Sequence, residues 1–435
     1  MTRDVIDSER AEESWLGELP DSWRTVPLWT LFERVKRTGF AGEELLSVYR
    51  DHGVVIKASR DDNNNNASED LSTYQLVEPG DLAINKMKAW QGSAAISAHR
   101  GIVSPAYFIF RSRHQENSQF LHYLMRSSPY IAMYGRVSKG VRPGQWDLDP
   151  QQHSRIPIPL PPSHEQCQIA DYLDAQTAKI DALIGKQERL IETLAERRQA
   201  VISHAVTKGL DPTAPMKETG SKWFGAVPCS WEISPFRWLL TYLTSGSRGW
   251  AEYYADAGAP FVRIGNLTRG SLHIDMADTQ YVQIPDGAEG SRAVIEAGDV
   301  LFSITAYLGS VAVAGMRDVG SFVSQHVALA RIDTRRTLPR FLGYVVLSEA
   351  GQRQLNEQAY GGTKIQLSLE DIKNLEVTVP TIAEQHDIVT YLDRETSQID
   401  ALSAKARQMI DILKERRQAL ISAAVTGKID VRGLA

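Results

Sequence analysis

A stretch of 47 residues occurs twice in this chain. Sliding the sequence against itself by 219 positions aligns Glu165–Asp211 with Glu384–Asp430 without a gap, and 25 of the 47 positions are identical. Tyr172, Leu173 and Asp174 return as Tyr391, Leu392 and Asp393, and Glu196 to Ala200 as Glu415 to Ala419. A duplication of this length fixes the frame in which the rest of the chain is read. Both copies lack proline and are rich in Ala, Leu, Glu, Gln, Lys and Arg, the composition of a helix. Each opens after a proline with a capping-box pattern, Ser163 with Gln166 and Thr381 with Glu384, and each closes near a glycine, Gly209 or Gly427.

Within the first copy Ile180, Ile184, Gln187, Ile191, Leu194, Arg198, Val201 and Ala205 alternate spacings of four and three. Ile399, Ser403, Ala406, Ile410, Leu413, Arg417, Leu420 and Ala424 do the same in the second. That heptad seam predicts that the two helices pair as a coiled coil; helices that each cover only their own domain are the alternative. A helix of about 45 residues spans roughly 65 Å.

The segments between the helices repeat more weakly. Trp15, Pro20 and Trp23 match Trp223, Pro228 and Trp231, and Gly92-Ser93 matches Gly309-Ser310, but the offset drifts between 208 and 221. Short apolar or β-branched runs bounded by turn signals predict strands at Val54–Ile56, Leu82–Ile84, Tyr107–Phe110, Phe261–Ile264, Val300–Phe302 and Val311–Val313. One helix per domain is expected, near Gln119–Met133 and Pro339–Gln358. The fold class is therefore α+β: two globular α/β domains, 1–160 and 212–379, joined by two long repeated helices, 161–211 and 380–435. An antiparallel coiled coil of those helices gives a pseudo-two-fold arrangement.

Composition bounds the function. With 435 residues, 43% hydrophobic and 23% charged, two folded domains are expected. The polar N-terminus and the lack of any long apolar run point to a cytoplasmic protein without a membrane partner. Two cysteines, Cys167 and Cys229, make neither a disulfide framework nor a zinc cluster. A net charge of −5 argues against indiscriminate coating of nucleic acid, which relies on a large positive field, but leaves room for a basic cleft.

The run Ile156-Pro-Ile-Pro-Leu-Pro-Pro-Ser-His-Glu165-Gln166, with Tyr172-Leu173-Asp174, Ile180-Asp181 and Glu196 to Ala200, is echoed from Leu375 to Val425. In this pattern the chain resembles the specificity subunit of Type I restriction-modification systems. The resemblance covers nearly the whole chain. It extends to Asn85 to Gly92 and Gly101 to Tyr107 in the first domain, and to Ser245-Gly246-Ser247 and Gly258 to Asn266 in the second. Ser247-Arg248 stands where that class of domain usually has Thr-Pro. The resemblance implies two target-recognition domains that each read half of a bipartite site in double-stranded DNA. It also implies helices that set the spacer, and two docked modification subunits that act as an adenine methyltransferase. Restriction subunits can join such a complex, and S-adenosylmethionine is expected in the modification subunit, with no cofactor in this chain.

Catalytic motifs are not found. Gly135 and Gly140 have P-loop spacing, yet Val141-Arg142 follows where Lys-Ser/Thr is needed for phosphate and magnesium. His164-Glu165 begins like a zinc-protease helix, but Gln168 stands where the second ligand belongs. Pro161-Pro162 lacks the flanking residues with which amino-methyltransferases hold their target amine. No catalytic residue, no metal site and no enzyme activity of the lone chain are expected. The alternative reading is a coiled-coil assembly scaffold whose globular ends bind proteins rather than DNA.

Base readout needs Arg or Lys for guanine and Asn or Gln for adenine, with further cations on phosphates. The candidates in the first domain are Lys86, Lys88, Trp90 and Gln91, then Lys57 and Arg60, and Lys139, Arg142 and Gln145. In the second domain they are Arg248, Arg263, Asn266, Tyr307, Gln325, His326, Lys364 and Gln366. Arg198 and Arg417 lie on the seam, where an arginine stem is buried and its head pairs with a carboxylate.

Overall fold

The computed structural model describes residues 15–50, 52–59, 68–140, 146–284, 292–306, 308–359 and 366–432. The chain divides into two compact units, each one globular domain with about half of each long helix: residues up to Gln187 with those from Gln408 onward, and Glu188–Arg407.

In the first unit the domain is closed by its own ends. Strand β1 (Arg24–Pro27) pairs antiparallel with β12 (Pro157–Leu160), so the chain leaves beside the place where it entered. Between them lies an antiparallel sheet of order β2-β9-β6-β7, formed by Phe32–Val35, Tyr107–Ser112, Leu82–Asn85 and Ala94–Ile96. Smaller pairs add β3 (Leu46–Tyr49) to β4 (Gly53–Ile56) and β5 (Gln75–Val77) to β8 (Gly101–Val103). Alternation along β9 sends Phe108 and Phe110 into one apolar cluster and Ile109 into another, which is why Tyr107–Phe110 reads as a continuous apolar run. The region expected to be one helix is two, Ser118–Met125 and Ser128–Arg136. Between them the buried Ser127 turns its hydroxyl back onto the Leu124 carbonyl, and Pro129 restarts the helix in its first turn.

The second unit repeats the closure with β15 (Glu232–Pro235) against β24 (Glu376–Val379). Its main sheet has the order β16-β23-β20-β21: Leu240–Ser245, Val327–Ile332, Val300–Ser303 and Val311–Val313. A second sheet, β17-β19-β18-β22, consists of Tyr254–Ala255, Gln280–Val282, Ala259–Val262 and Phe322–Val323. The strand expected to reach Ile264 stops at Val262, because Ile264–Asn266 turns as a 3-10 helix. Pro339–Gln358 is again two helices, Pro339–Leu347 and Glu349–Gln358, split at Ser348. That serine hydroxyl donates to the Val345 carbonyl and accepts from the Gly351 amide, so it ends one helix and caps the next.

The long helices are Ser163–Lys208 and Ile382–Val425, followed by left-handed turns at Gly209 (φ 76°) and Gly427 (φ 71°). None of the sixteen seam residues is exposed; each is buried or half-buried. Within each unit the helices run antiparallel and are tied by the same ion pair with its members exchanged: Arg417 to Asp181 at 2.9 Å in the first, Arg198 to Asp400 in the second.

The identical positions of the repeat are the ones that grip the domains. In the first unit the buried Gln166 accepts from the Asn117 amide (2.9 Å) and donates to the Pro161 carbonyl (2.8 Å). In the second, Gln385 accepts from the Leu338 amide (2.7 Å) and donates to the Pro380 carbonyl (2.9 Å). Trp23 donates to Glu165 and Trp231 to Glu384, at 3.1 and 3.3 Å. Tyr123 donates to Asp174 and Tyr344 to Asp393, both at 2.6 Å. Burial, helped by the neighbouring carboxylate, pushes each phenol up to about 12, so both remain donors at neutral pH. Thr381 and Glu384 form the expected capping box, but Gln166 is spent on tertiary contacts instead of capping Ser163. Among the described residues no helix is long and apolar enough to cross a membrane.

Candidate nucleic-acid interface

In the first domain the turn after β6 is folded by Asn85, whose side-chain oxygen accepts from the Met87 and Lys88 amides (3.0 and 3.1 Å). The four residues expected to act together there are divided. Lys88 and Gln91 are exposed. Trp90 braces the turn: its indole donates to the Met87 carbonyl at 3.0 Å and its ring packs on Trp146, centroids 5.1 Å apart. Lys86 folds away from them, donating to the Pro105 carbonyl at 2.6 Å with its ammonium 4.8 Å from the Phe108 ring centre. There it lines a cavity of about 340 Å³ with Arg34, Val35, Lys36, Gln75, Tyr107 and Phe108. Sequence reasoning passed over Arg34 and Lys36, since only strand pairing brings them beside Lys86.

Lys57 opens a short 3-10 turn and is half-buried. Lys139 is paired with Asp149 at 3.1 Å. Asp149 also caps helix Pro150–Ser154, and the Gln152 amide first, then Lys139, hold its carboxyl below the usual range.

The second domain gathers several candidates in one cleft. Gly246 makes this possible: a Cβ there would meet the Val323 carbonyl oxygen at 2.0 Å, so only glycine lets this loop press against the Val323–Ser324 backbone. The resulting cavity, about 240 Å³, is lined by Ser247, Trp250, Tyr254, Phe261, Arg263, Ser324, Gln325 and His326, among others. Trp250 and Phe261 stack at 5.6 Å and 15° to form an aromatic wall. The Arg263 guanidinium is 3.3 Å from Asp278. Gln325 and His326 lie within 3.1 Å of one another through their side chains, and exposed Arg248 sits in the chain between two lining residues. The Trp250 indole N–H and the Ser324 hydroxyl are buried with no hydrogen-bond partner among the described residues. Buried polar groups left so cost about 1–3 kcal/mol each. The cleft therefore offers flat apolar walls, an amide, hydroxyls and one cation, the groups that recognise a base edge.

Asn266, expected as an adenine reader, is a loop brace. It is buried, accepts from the Arg263 amide at 2.8 Å and donates to the Asp275 and Asp278 carbonyls, so its amide has nothing left to offer DNA. Gln366 is half-buried beside Thr305, to which its backbone is bridged. Arg60, Arg142, Gln145, Tyr307 and Lys364 lie outside the described residues.

A family model for the Type I restriction modification DNA specificity domain matches residues 249–410, which include the residues lining the cleft except Ser247. The specificity subunit of the Type I restriction enzyme EcoKI of Escherichia coli (strain K12) is 24% identical, over 95% of this chain and 90% of its own length. That of StySPI from Salmonella potsdam is 21% identical over the same shares. A structure solved to show complex assembly and conformational transition of the type I R-M system has the same fold, with a TM-score of 0.71 at 18% identity, covering 95% of this chain and all of the other.

Proposed function

We propose that the chain is a member of the family of Type I restriction-modification specificity subunits, and that it selects DNA for a partner enzyme and performs no chemistry itself. Each globular domain reads one half of a bipartite site. The observation that carries this reading is the cleft of the second domain, where Arg263 meets the Gln325-His326 pair, about 60 residues further along the chain, beside aromatic walls and two buried polar groups that have no partner among the described residues. Lys88 and Gln91 serve the first domain from their exposed turn.

The partners are two modification subunits, one for each copy of the repeat. Leu183 and Leu190 stand seven residues apart on the first long helix, and their counterparts Leu402 and Met409 do so on the second; all four are 43–50% exposed. Apolar side chains held in water at the same positions twice support two like docking surfaces. The methyl donor, S-adenosylmethionine, belongs to the modification subunit, and the complex works in the cytoplasm on double-stranded DNA, with or without restriction subunits. Methyl transfer to duplex DNA tests this: the full chain alone gives none, and the chain with modification subunits methylates adenine. Methyl transfer by the lone chain overturns it.

A further inference from the structure

The pairing of β2 and β6 on either side of β9 concentrates positive charge at one end of the first domain's sheet. Both strands run antiparallel to β9, so the ends of both arrive where β9 begins. Arg34 comes from β2 and Lys36 from just beyond it, while Lys86 follows β6. The Arg34 guanidinium carbon lies 4.3 Å and the Lys86 ammonium 4.8 Å from the same Phe108 ring centre. All three cations line the cavity, and among the described residues no carboxylate does.

The neighbouring acids are already engaged elsewhere. Glu33 holds Arg111 and Arg113, and Glu78 and Asp81 hold Arg37. Among the described residues Arg34 and Lys36 have no ion pair, and Lys86 has given only one of its three N–H groups, to Pro105. Three converging cations repel one another unless an anion joins them. A base edge is a poor fit, because it needs matched neutral donors and acceptors, and the amide of Gln75, the one amide side chain in the lining, already donates to the Tyr107 carbonyl at 2.8 Å.

We propose that Arg34, Lys36 and Lys86 form a seat for the DNA phosphodiester backbone, which anchors the first domain without reading sequence. The proposal deepens the DNA-recognition reading and rests on it. The geometry allows one phosphate, or two neighbours on a strand, to be gripped from the β2 and β6 sides at once, with Phe108 as the floor. It also reassigns Lys86: it positions the duplex, and the exposed Lys88 and Gln91 remain for base edges.

The test is the salt dependence of duplex binding by the full chain, measured by fluorescence anisotropy with mixed-sequence duplexes across a potassium chloride series. Each phosphate contact removed lowers the slope of log affinity against log salt by about one. R34Q/K36Q should lower it by about two and weaken all duplexes by the same factor, while R34K/K36R retains the parent slope. K36Q alone, at an exposed residue without an ion pair, should lower the slope by about one and guards against misfolding of the double variant. An unchanged slope in both glutamine variants overturns the seat, as does a loss confined to one sequence. Footprinting the parent chain assembled with its modification subunits separates the two readings. Protection of a defined site with an unchanged slope in the variants sinks the seat alone. A lowered slope with no defined protection supports the seat while the site-reading function fails.

Discussion

Acid should weaken the first unit through His153. This ring is fully buried against Phe110 and Tyr134, with centroids 5.0 and 5.6 Å away, and neither ring nitrogen has a hydrogen-bond partner among the described residues. Burial pulls it down to about 3 from an ordinary 6.5. Because the folded value lies below the unfolded one, its contribution is complete above about pH 6.5 and is lost as the pH falls toward 3. Each pH unit in that window removes about 1.4 kcal/mol, so about 2 kcal/mol has gone by pH 5. His122, drawn down to about 4 by burial and then by the charge of Arg126, adds a similar loss. Together these approach about 4 kcal/mol, a large share of an ordinary domain stability of about 5–15 kcal/mol. Among the described residues of the second unit no histidine is buried as His153 is, so the loss carried by that ring belongs to the first. The assay is hydrogen exchange resolved by peptide and corrected for the intrinsic pH dependence, comparing the parent with His153→Leu. Between pH 7 and pH 5 helix Ser128–Arg136 should lose about 30-fold more protection in the parent than in the variant, the factor that corresponds to about 2 kcal/mol. Parallel losses in the two proteins would refute a sealed, neutral ring.

Three further sets of substitutions probe the repeat and the cleft. Gln166→Ala leaves the Asn117 amide and the Pro161 carbonyl without their partner and should destabilise the first unit by about 2 kcal/mol, and Gln385→Ala should do the same to the second, read by denaturant midpoints. A double-mutant cycle on Arg198 and Asp400 should give a coupling of only about 0.5–1 kcal/mol, because the Asp400 side chain is 61% exposed, with the same small value for Arg417 and Asp181. Gly246→Ala forces the Ser247 loop off the Val323–Ser324 backbone; the assembled enzyme should lose preference in the half-site read by the second domain and keep the other.

The long helices were legible because a gap-free repeat and a heptad seam are properties of sequence alone. Their mates were not: Gln166 looks like a capping residue until folding brings the Asn117 amide within reach. The strands at Val54, Leu82, Tyr107, Val300 and Val311 announced themselves by β-branched and aromatic runs. The helix breaks at Ser127 and Ser348 did not, since a serine hydroxyl can turn back on its own helix or face solvent with equal ease. At the candidate interface, Arg263, Gln325 and His326 were chosen for their chemistry and do meet in one cleft. Asn266 was chosen on the same grounds, but its amide is consumed by the loop it holds. Arg34 and Lys36 carried no local signal, because their meaning depends on the register of β2 against β9.

Mapping methylated adenines in a genome that carries the intact system, with the parent chain and then with R263A/Q325A, tests the two-reader claim most directly. The parent should give two short defined half-sites separated by unread base pairs. The variant should relax preference in one half only, at a cost of about 1–3 kcal/mol per lost base contact. A single contiguous site, or equal relaxation of both halves, would contradict it.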